Sequence, residues 1–269
     1  MKIRVKILIG TTALALSVGG SLAAFAASSP QPPAQAPAKA ALLLPVDTST
    51  EAKFTAITPC RIVDTRIAGG RISTSTPRSF VATGSSGFAA QGGKSTGCGI
   101  PSAAVAIQAN VVTVGGTGSG FLKIYPFGAA APNSSYMNYR DSAALANGGT
   151  ITLNVGGAKE FTVATASHST YVVIDVSGYF VKPMWAEVST DASLIRSSRT
   201  TGTVKLATGQ YEVDFDRDVS NCSYSVTPFV VGTTVGVEPR SGNADGVFVY
   251  FANTSGTIID SLFYLSVDC

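Results

Sequence analysis

The chain has 269 residues, of which 45% are hydrophobic and 13% are charged, and its 19 basic and 16 acidic side chains give a net charge of +3. Three of the basic residues lie within the first six positions, so the sequence beyond residue 26 holds 16 basic and 16 acidic side chains and has no net charge. Nucleic-acid binding usually requires a basic excess, and this composition therefore argues against a nucleic-acid partner.

Residues 1–26 have the composition of a secretory signal peptide. Basic residues precede an apolar run over residues 7–23, and the sequence Ala-Phe-Ala ends at position 26 as a small-residue cleavage site. We therefore expect a secreted protein, outside the cell, at the cell surface or in the periplasm, with no stable membrane span after cleavage. An uncleaved anchor is the alternative, because the apolar run approaches the length of a membrane span.

Residues 27–53 are rich in alanine and proline and poor in aromatic residues. This composition is typical of an extended spacer without a packed core. The remaining sequence is long enough for one large domain or two small ones.

Four cysteines lie in this remaining sequence, at positions 60, 98, 222 and 269. An even number of cysteines in an exported chain predicts two disulfides, for which three connectivities exist. Because the cysteines fall as two pairs on either side of a long cysteine-free stretch, we expect Cys60 to bond Cys98 and Cys222 to bond Cys269. Each bridge would contribute about 4 kcal/mol through the entropy of the unfolded chain.

Short runs of alternating apolar and polar residues, separated by Gly, Ser, Asn and Thr, predict β-strands throughout. In AVAIQANVVTV, residues 105, 107, 109 and 111 share the apolar face, and in STYVVIDVSGYF residues 172, 174 and 176 do so. The fold class is therefore predicted as all-β, with two β-sandwich-like domains in tandem and negligible helix outside the signal peptide. Pro183 interrupts the pattern, which places the domains at residues 54–182 and 183–269.

The two predicted domains differ in charge. Residues 54–182 hold nine basic and four acidic side chains, a net charge of +5, whereas residues 183–269 hold five basic and ten acidic side chains, a net charge of −5. Opposite charges favour attraction between the halves or between copies, and therefore self-association. The alternative is that each charge is spread over a solvated surface.

Nucleophilic catalysis has few candidate residues in this sequence. His168 is the only histidine and lies in a polar turn, no G-x-S-x-G motif occurs, and the cysteines are assigned to bridges. The glycine-rich segment 115–120 joins two strand-like runs, so we expect a hairpin loop there and not a phosphate-binding loop. We therefore expect neither enzymatic activity nor a cofactor.

The acidic run YEVDFDRDVSN contains the strongest candidates for metal binding. On an extended chain Asp214, Asp216 and Asp218 project from one face, where a calcium ion would offset their repulsion. The alternative is a turn in which aspartates accept hydrogen bonds from nearby backbone N–H groups. A glycosidase would need two carboxylates at a defined separation across a cleft, which a sequence does not show.

Aromatic residues at strand ends and in loops are candidates for carbohydrate binding, because their rings can face a ligand. The alternative is that they are core or rim residues. The candidates are Tyr125, Tyr136, Tyr139, Tyr179, Phe180 and Trp185.

The segment TPCRIVDTR (residues 58–66) concentrates charge in a chain that is otherwise poor in charged residues. As an extended strand it places Cys60, Ile62, Asp64 and Arg66 on one face, with Thr65 on the other. Asp64 and Arg66 are then close enough to pair at the strand's end. We interpret Asp64, Thr65 and Arg66 as a structural motif that fastens the entry strand.

This motif and several other segments resemble domains of known proteins. PCRIVDTR, AVAIQANVVTV, FLKIYPFG and VIDVSGYF together resemble an uncharacterised β-domain of exported bacterial proteins with a P-C-R-x-x-D-T-R entry motif. GQYEVDFDRDVSNCSY, GVFVYF and FYLSVDC resemble a second uncharacterised bacterial β-domain that ends in a cysteine-bearing strand. The resemblance covers most of residues 54–269 and supplies no catalytic residue.

These observations together predict a non-enzymatic secreted or cell-surface protein with a structural or interaction role. Its expected partner is a protein or a cell-envelope polysaccharide. The alternative is a carbohydrate-binding module that acts at the cell envelope or on extracellular polysaccharide, and a hydrolase is the third hypothesis.

Overall fold

The computed structural model describes residues 51–141 and 143–269. The predicted signal peptide and all but the last three residues of the predicted spacer lie outside the described residues. The first strand already begins at Lys53, one residue inside the range predicted for the spacer. Among the described residues, no helix has the length and apolar character needed to cross a membrane.

The first half of the structure contains eight strands in two antiparallel sheets, with strand orders β1-β8-β3-β6 and β2-β7-β4-β5. Buried side chains from both sheets form one core between them, which makes this half a sandwich. We call it the N-terminal sandwich. Its strands are β1 (Lys53–Asp64), β2 (Arg78–Phe80), β3 (Ala104–Val114), β4 (Gly120–Pro126), β5 (Met137–Tyr139), β6 (Leu145–Thr152), β7 (Phe161–Ala166) and β8 (Tyr171–Val181).

The second half repeats the architecture with eight further strands, in the orders β10-β9-β16-β13 and β11-β12-β15-β14. Its core is separate and centres on Tyr211, Phe251 and Phe263, whose rings contact one another. We call it the C-terminal sandwich. Its strands are β9 (Met184–Val188), β10 (Leu194–Ser198), β11 (Thr200–Ala207), β12 (Gln210–Phe215), β13 (Ser223–Pro228), β14 (Thr233–Pro239), β15 (Gly246–Asn253) and β16 (Phe263–Asp268).

The fold class is confirmed: strands account for 54% of the structure, and the only helical element among the described residues is a single 3-10 turn at Ala89–Gln91. The sheets and the cores divide at Lys182 and Pro183, and within residues 51–141 and 143–269 no sheet contains strands from both sides of this point. Both sandwiches nevertheless belong to one compact unit.

The strand faces follow the predicted alternation in most places. Val172, Ile174 and Val176 of β8 lie in the N-terminal core, and Phe263, Leu265 and Val267 of β16 lie in the C-terminal core. Val105 of β3 is an exception to the prediction, because the pairing of β3 with β8 shifts between Ala104 and Ala106, and Ala104 lies in the core in its place.

Strand β1 departs from the predicted alternation. Its pairing with β8 shifts between Arg61 and Val63, and Ile62, Val63, Asp64 and Thr65 are all buried in succession. The irregularity, a β-bulge, changes which side the following residues face, so the two alternating faces predicted for this segment are wrong beyond Arg61.

The glycine-rich segment 115–120 is also not a hairpin. It connects β3 to β4, which belong to different sheets, and Thr117 N–H donates to the Ser169 carbonyl at 3.0 Å. The prediction failed because two strand-like runs joined by glycines look the same whether the chain turns back or crosses to the facing sheet.

Both predicted disulfides are present. Cys60 of β1 is bonded to Cys98 in the long connection between β2 and β3, with the Cα atoms 5.8 Å apart. Cys222 and Cys269, whose Cα atoms are 4.4 Å apart, join the adjoining ends of the paired strands β13 and β16. Each bridge therefore lies within one sandwich, and the second links two strands of one sheet.

Candidate functional site

The charged motif at the end of β1 is built around Asp64, whose side chain is completely buried. Its carboxylate accepts hydrogen bonds from Arg66 Nε at 2.9 Å, from Arg66 Nη2 at 2.7 Å and from the Arg66 backbone N–H at 3.1 Å. Arg61 Nη1 donates to the same carboxylate at 3.1 Å. These hydrogen bonds, those of Arg66 foremost, lower the pKa of Asp64 despite its burial.

The other members of the motif are also engaged inside the sandwich. Thr65 Oγ1 accepts from the Val172 N–H at 2.8 Å, and Thr65 N–H donates to the Val172 carbonyl at 3.0 Å. Arg61 forms a second, bidentate pair with Asp175 of β8 at 2.8 and 3.0 Å. The motif therefore ties the end of β1 to β8, which supports a structural role and leaves no carboxylate facing a ligand.

The turn at residues 89–93 packs directly on this corner. A Cβ atom built on Gly92 would lie 2.2 Å from the Asp64 carbonyl oxygen, so only glycine allows this approach. The buried Gln91 side chain donates to the carbonyls of Ile62 and Val81 at 2.8 Å each and accepts from the Val81 N–H at 3.0 Å. These contacts satisfy backbone groups that no sheet ladder reaches.

The three aspartates of the acidic run are each engaged by a different partner. Asp214 accepts from Asn243 Nδ2 at 2.8 Å, Asp216 pairs with Arg199 at 2.7 Å, and Asp218 accepts from the Ser220 N–H at 2.9 Å. No group of three His, Cys, Asp or Glu side chains in the described ranges could hold a metal ion. The alignment predicted for the carboxylates is wrong because β12 ends at Phe215, after which the chain turns.

The aromatic residues predicted to bind carbohydrate are dispersed. Tyr139 is buried in the N-terminal core, and its hydroxyl donates to the carbonyls of Ala166 and His168, so both its ring and its hydroxyl are engaged inside the sandwich. Tyr136 is partly buried against the same core, and its hydroxyl is buried. Tyr125, Tyr179 and Trp185 are half-buried on β4, β8 and β9 and share no ring contact among the described residues.

His168 is exposed, as predicted, in the turn between β7 and β8. Its Nδ1 lies 2.9 Å from the Ser119 carbonyl oxygen, and no hydrogen bond in the described part of the chain joins the ring to a hydroxyl, thiol or carboxylate. The histidine therefore contacts the glycine-rich segment 115–120, and no nucleophile of the described residues lies beside its ring.

A cavity of about 400 Å³ lies where the two sandwiches meet, and both contribute to its wall. Lys53 of β1 pairs with Asp268 of β16 at 3.6 Å. Arg199, with its side chain 9% exposed, pairs with Asp216 and donates to the Lys182 carbonyl at 3.3 Å. Because these two ion pairs are internally balanced, we assign no ligand to the cavity.

Exposed apolar side chains are concentrated on the C-terminal sandwich. Of the thirteen large hydrophobic residues that are exposed in the described chain, nine lie beyond Pro183. They include three consecutive residues, 229–231, in the loop between β13 and β14. Exposed apolar side chains that share one face indicate an interaction site more often than a structural need.

Three of these exposed side chains lie on the sheet β11-β12-β15-β14, on the side that faces away from the core. Its register places Val204, Glu212, Phe248 and Glu238 in one row, and Gln210, Tyr250 and Gly236 in the next. We call this surface the outer aromatic face and define it by Val204, Leu206, Phe248 and Tyr250. Three of these four side chains are exposed, and Phe248 is half-buried.

The two aromatic rings of this face lie side by side. Phe248 and Tyr250 have ring centroids 5.8 Å apart and an interplanar angle of 31°. A Cβ atom built on Gly236 would lie 2.1 Å from Cε1 and Cζ of Tyr250, so the tyrosine ring occupies the space that a side chain at position 236 would need. Because Gly236 has no side chain, the Tyr250 ring can pack directly against strand β14.

A polar network borders the rings. Glu212 accepts from Arg240 Nε at 2.7 Å and from Asn243 Nδ2 at 2.8 Å, and these contacts, Asn243 first, lower its pKa. Asp214, two residues along the same strand face, has a raised pKa because of its burial and the charge of Glu212. The carboxylates lie on an open sheet face, which differs from the cleft that a glycosidase requires.

Sequence reasoning missed Phe248 and Tyr250, although the signal was present. In GVFVYF the core residues are Val247, Val249 and Phe251, so the two remaining aromatic residues must lie on the opposite, solvent-facing side. Aromatic residues at the polar positions of a strand were therefore better candidates than those at strand ends.

Comparison with protein-family models, with curated proteins and with solved structures finds no match to this chain. The resemblance to exported bacterial β-domains therefore stays a prediction, and the candidate site rests on its own geometry.

Proposed function

We propose that this protein is a non-enzymatic interaction module of an exported chain, which binds a partner at the cell surface or outside the cell. The observation that carries this proposal is the outer aromatic face, where a regular sheet presents Tyr250 at 41% exposure and Val204 at 47% beside ordered polar groups. A regular sheet supplies a rigid surface for binding at little entropic cost.

The disulfides support export, because such bridges are compatible with an oxidising compartment and are rare in reducing ones. The expected partner is a protein or a polysaccharide of the cell envelope. Self-association is a further candidate, because the net charges of +5 and −5 favour contact between the N-terminal sandwich of one copy and the C-terminal sandwich of another.

A non-enzymatic role is supported by the contacts of the aspartates identified in the sequence, which pair with or bond to other groups of the protein. Asp64 and Asp216 pair with arginines, and Asp218 caps a turn. The nucleophile, base and orienting group that acyl transfer needs are not brought together among the residues that the structure describes.

Co-sedimentation of the purified full-length protein with an envelope preparation of the source cells tests this proposal. We expect binding, and we expect the double variant V204D/L206D to bind about tenfold more weakly, because two charges on an apolar face lose contact area and require desolvation. Phe127→Asp, at a 38% exposed position of the N-terminal sandwich, is the matched control and should bind normally.

Absence of wild-type binding to the envelope preparation and to the extracellular fraction would contradict the proposal. Normal binding by V204D/L206D, or equal loss in V204D/L206D and Phe127→Asp, would contradict the assignment of binding to the outer aromatic face.

A further inference from the structure

Each row of the outer aromatic face combines an aromatic ring with at least one polar side chain. Tyr250 lies between Gln210 and Gly236, and Phe248 lies between Glu212 and Glu238. Neither Gln210 nor Glu238 has a side-chain hydrogen-bond partner in the described ranges, so both can still donate to or accept from a ligand. Each ring therefore has an unengaged polar side chain next to it in the same row.

This combination matches the chemistry of a sugar ring. A pyranose has C–H groups that pack on an aromatic face and a rim of hydroxyls that bond to carboxylates and amides. Glu212 is held by Arg240 and Asn243, which fixes its orientation before any ligand arrives. The two rings, 5.8 Å apart, extend along one strand and so suit a chain of consecutive sugars better than a single one.

The charge of the face limits which polymers fit. Glu212, Asp214 and Glu238 lie on it, and its cation, Arg240, is already paired with Glu212. The C-terminal half has a net charge of −5. An anionic polysaccharide, a nucleic acid or an anionic lipid surface would therefore be repelled, whereas an uncharged polysaccharide would not.

We propose that the outer aromatic face binds a neutral polysaccharide, with the Tyr250 ring stacked on one sugar, Phe248 supporting the next, and Gln210 and Glu238 bonding to hydroxyl groups. This assignment rests on the proposed function and names the partner class for the same surface. Tyr250 and Phe248 are then the binding residues, and Gly236 is a positioning residue that allows the tyrosine ring its place against β14 (Thr233–Pro239).

The test is equilibrium binding of the full-length protein to insoluble cellulose, to chitin and to a soluble neutral β-glucan, with polygalacturonate as the anionic comparison. We expect binding to at least one neutral polymer and none to polygalacturonate. Tyr250→Ala should weaken binding about tenfold, whereas Tyr250→Phe keeps the stacking ring and should bind almost normally.

Gly236→Ala separates the role of ring position from the presence of the ring. Its methyl group displaces the Tyr250 ring, so binding should fall although the tyrosine is intact. Tyr264→Ala is the matched control, because Tyr264 is 38% exposed on β16, in the opposite sheet of the same sandwich. Thermal melting of each variant confirms that it is folded.

The outcomes separate the two proposals. Envelope binding without affinity for any neutral polymer, or capture of an envelope protein that depends on Tyr250, overturns the polysaccharide assignment and leaves the interaction role. Polymer binding that is unchanged in Tyr250→Ala and in Gly236→Ala moves the site elsewhere and also overturns the assignment. Failure of every fraction and every polymer to bind overturns both.

Discussion

The two sandwiches have the same architecture but use their polar residues differently. In the N-terminal sandwich, Asp64, Gln91 and Glu160 are buried and bond to backbone groups of nearby loops. In the C-terminal sandwich, Glu212 and Asp214 form a network at the edge of an open sheet face. In the C-terminal sandwich Asp260 also bonds the Gly209 N–H and the Tyr211 hydroxyl, so what distinguishes this sandwich is the additional polar network beside an open face.

The lengths of the connections explain this difference. The N-terminal sandwich contains the irregular segment 81–103, which leaves backbone groups that no ladder satisfies, and Gln91 and Glu160 bond to that segment or near it. The connections of the C-terminal sandwich are shorter, the longest being residues 254–262. Sheet pairing therefore satisfies more of its backbone, and fewer side chains are needed to bond loop segments.

The largest expected effect concerns a feature that the sandwiches share. Removing either disulfide, as C60S/C98S or as C222S/C269S, should lower the free energy of unfolding by about 4 kcal/mol, because the bridged residues are 38 and 47 positions apart and the loop entropies are nearly equal. Urea denaturation of the full-length protein measures both values. A large effect from one bridge and almost none from the other would show that the sandwiches depend on their bridges unequally.

The next effect should distinguish the sandwiches. Asp64→Ala should cost about 3 kcal/mol at neutral pH, because it removes a buried carboxylate that bonds two arginines and a backbone N–H. Asp214→Ala, in the C-terminal network, is the matched control and should change stability by less than about 0.5 kcal/mol, because the hydrogen bond from Asn243 is offset by the burial of Asp214 and its repulsion by Glu212, which raise its pKa.

The two aspartates should also differ in pH dependence. The pKa of Asp64 is lowered by folding, so its contribution is complete above the unfolded-state pKa and is lost as pH falls through the folded-state value. Asp214 has the opposite shift, so its contribution is present at low pH and is lost as pH rises through its folded-state pKa. Urea titrations at acidic and neutral pH should therefore show the Asp64→Ala deficit shrinking in acid. A deficit that stays constant with pH would mean that packing, and not charge, explains the effect of Asp64.

Much of the fold could be predicted from the sequence because its signals are local. Alternation in β8 and β16 identified the buried residues, and the positions of the cysteines identified both bridges. The bulge at Arg61 and the crossover after β3 (Ala104–Val114) could not be predicted, because both depend on which strand the chain meets next.

The candidate site was harder to predict than the fold. Tyr139 was a candidate for ligand binding with a core position as the alternative, and it lies in the core, since a tyrosine suits either place when its hydroxyl finds a carbonyl acceptor. The outward position of Tyr250 follows from the alternation in GVFVYF, but its packing against Gly236, fourteen positions away on the neighbouring strand, does not. Such pairings are decided by tertiary structure.

Hydroxyl-radical footprinting of the full-length protein, with and without the envelope preparation, tests most directly whether the C-terminal sandwich carries the binding surface. Protection of Phe248 and Tyr250 from oxidation, with Tyr264 and Phe127 unchanged, is the predicted result. Protection confined to the N-terminal sandwich, or unchanged oxidation of Tyr250 while the protein is bound, would contradict it.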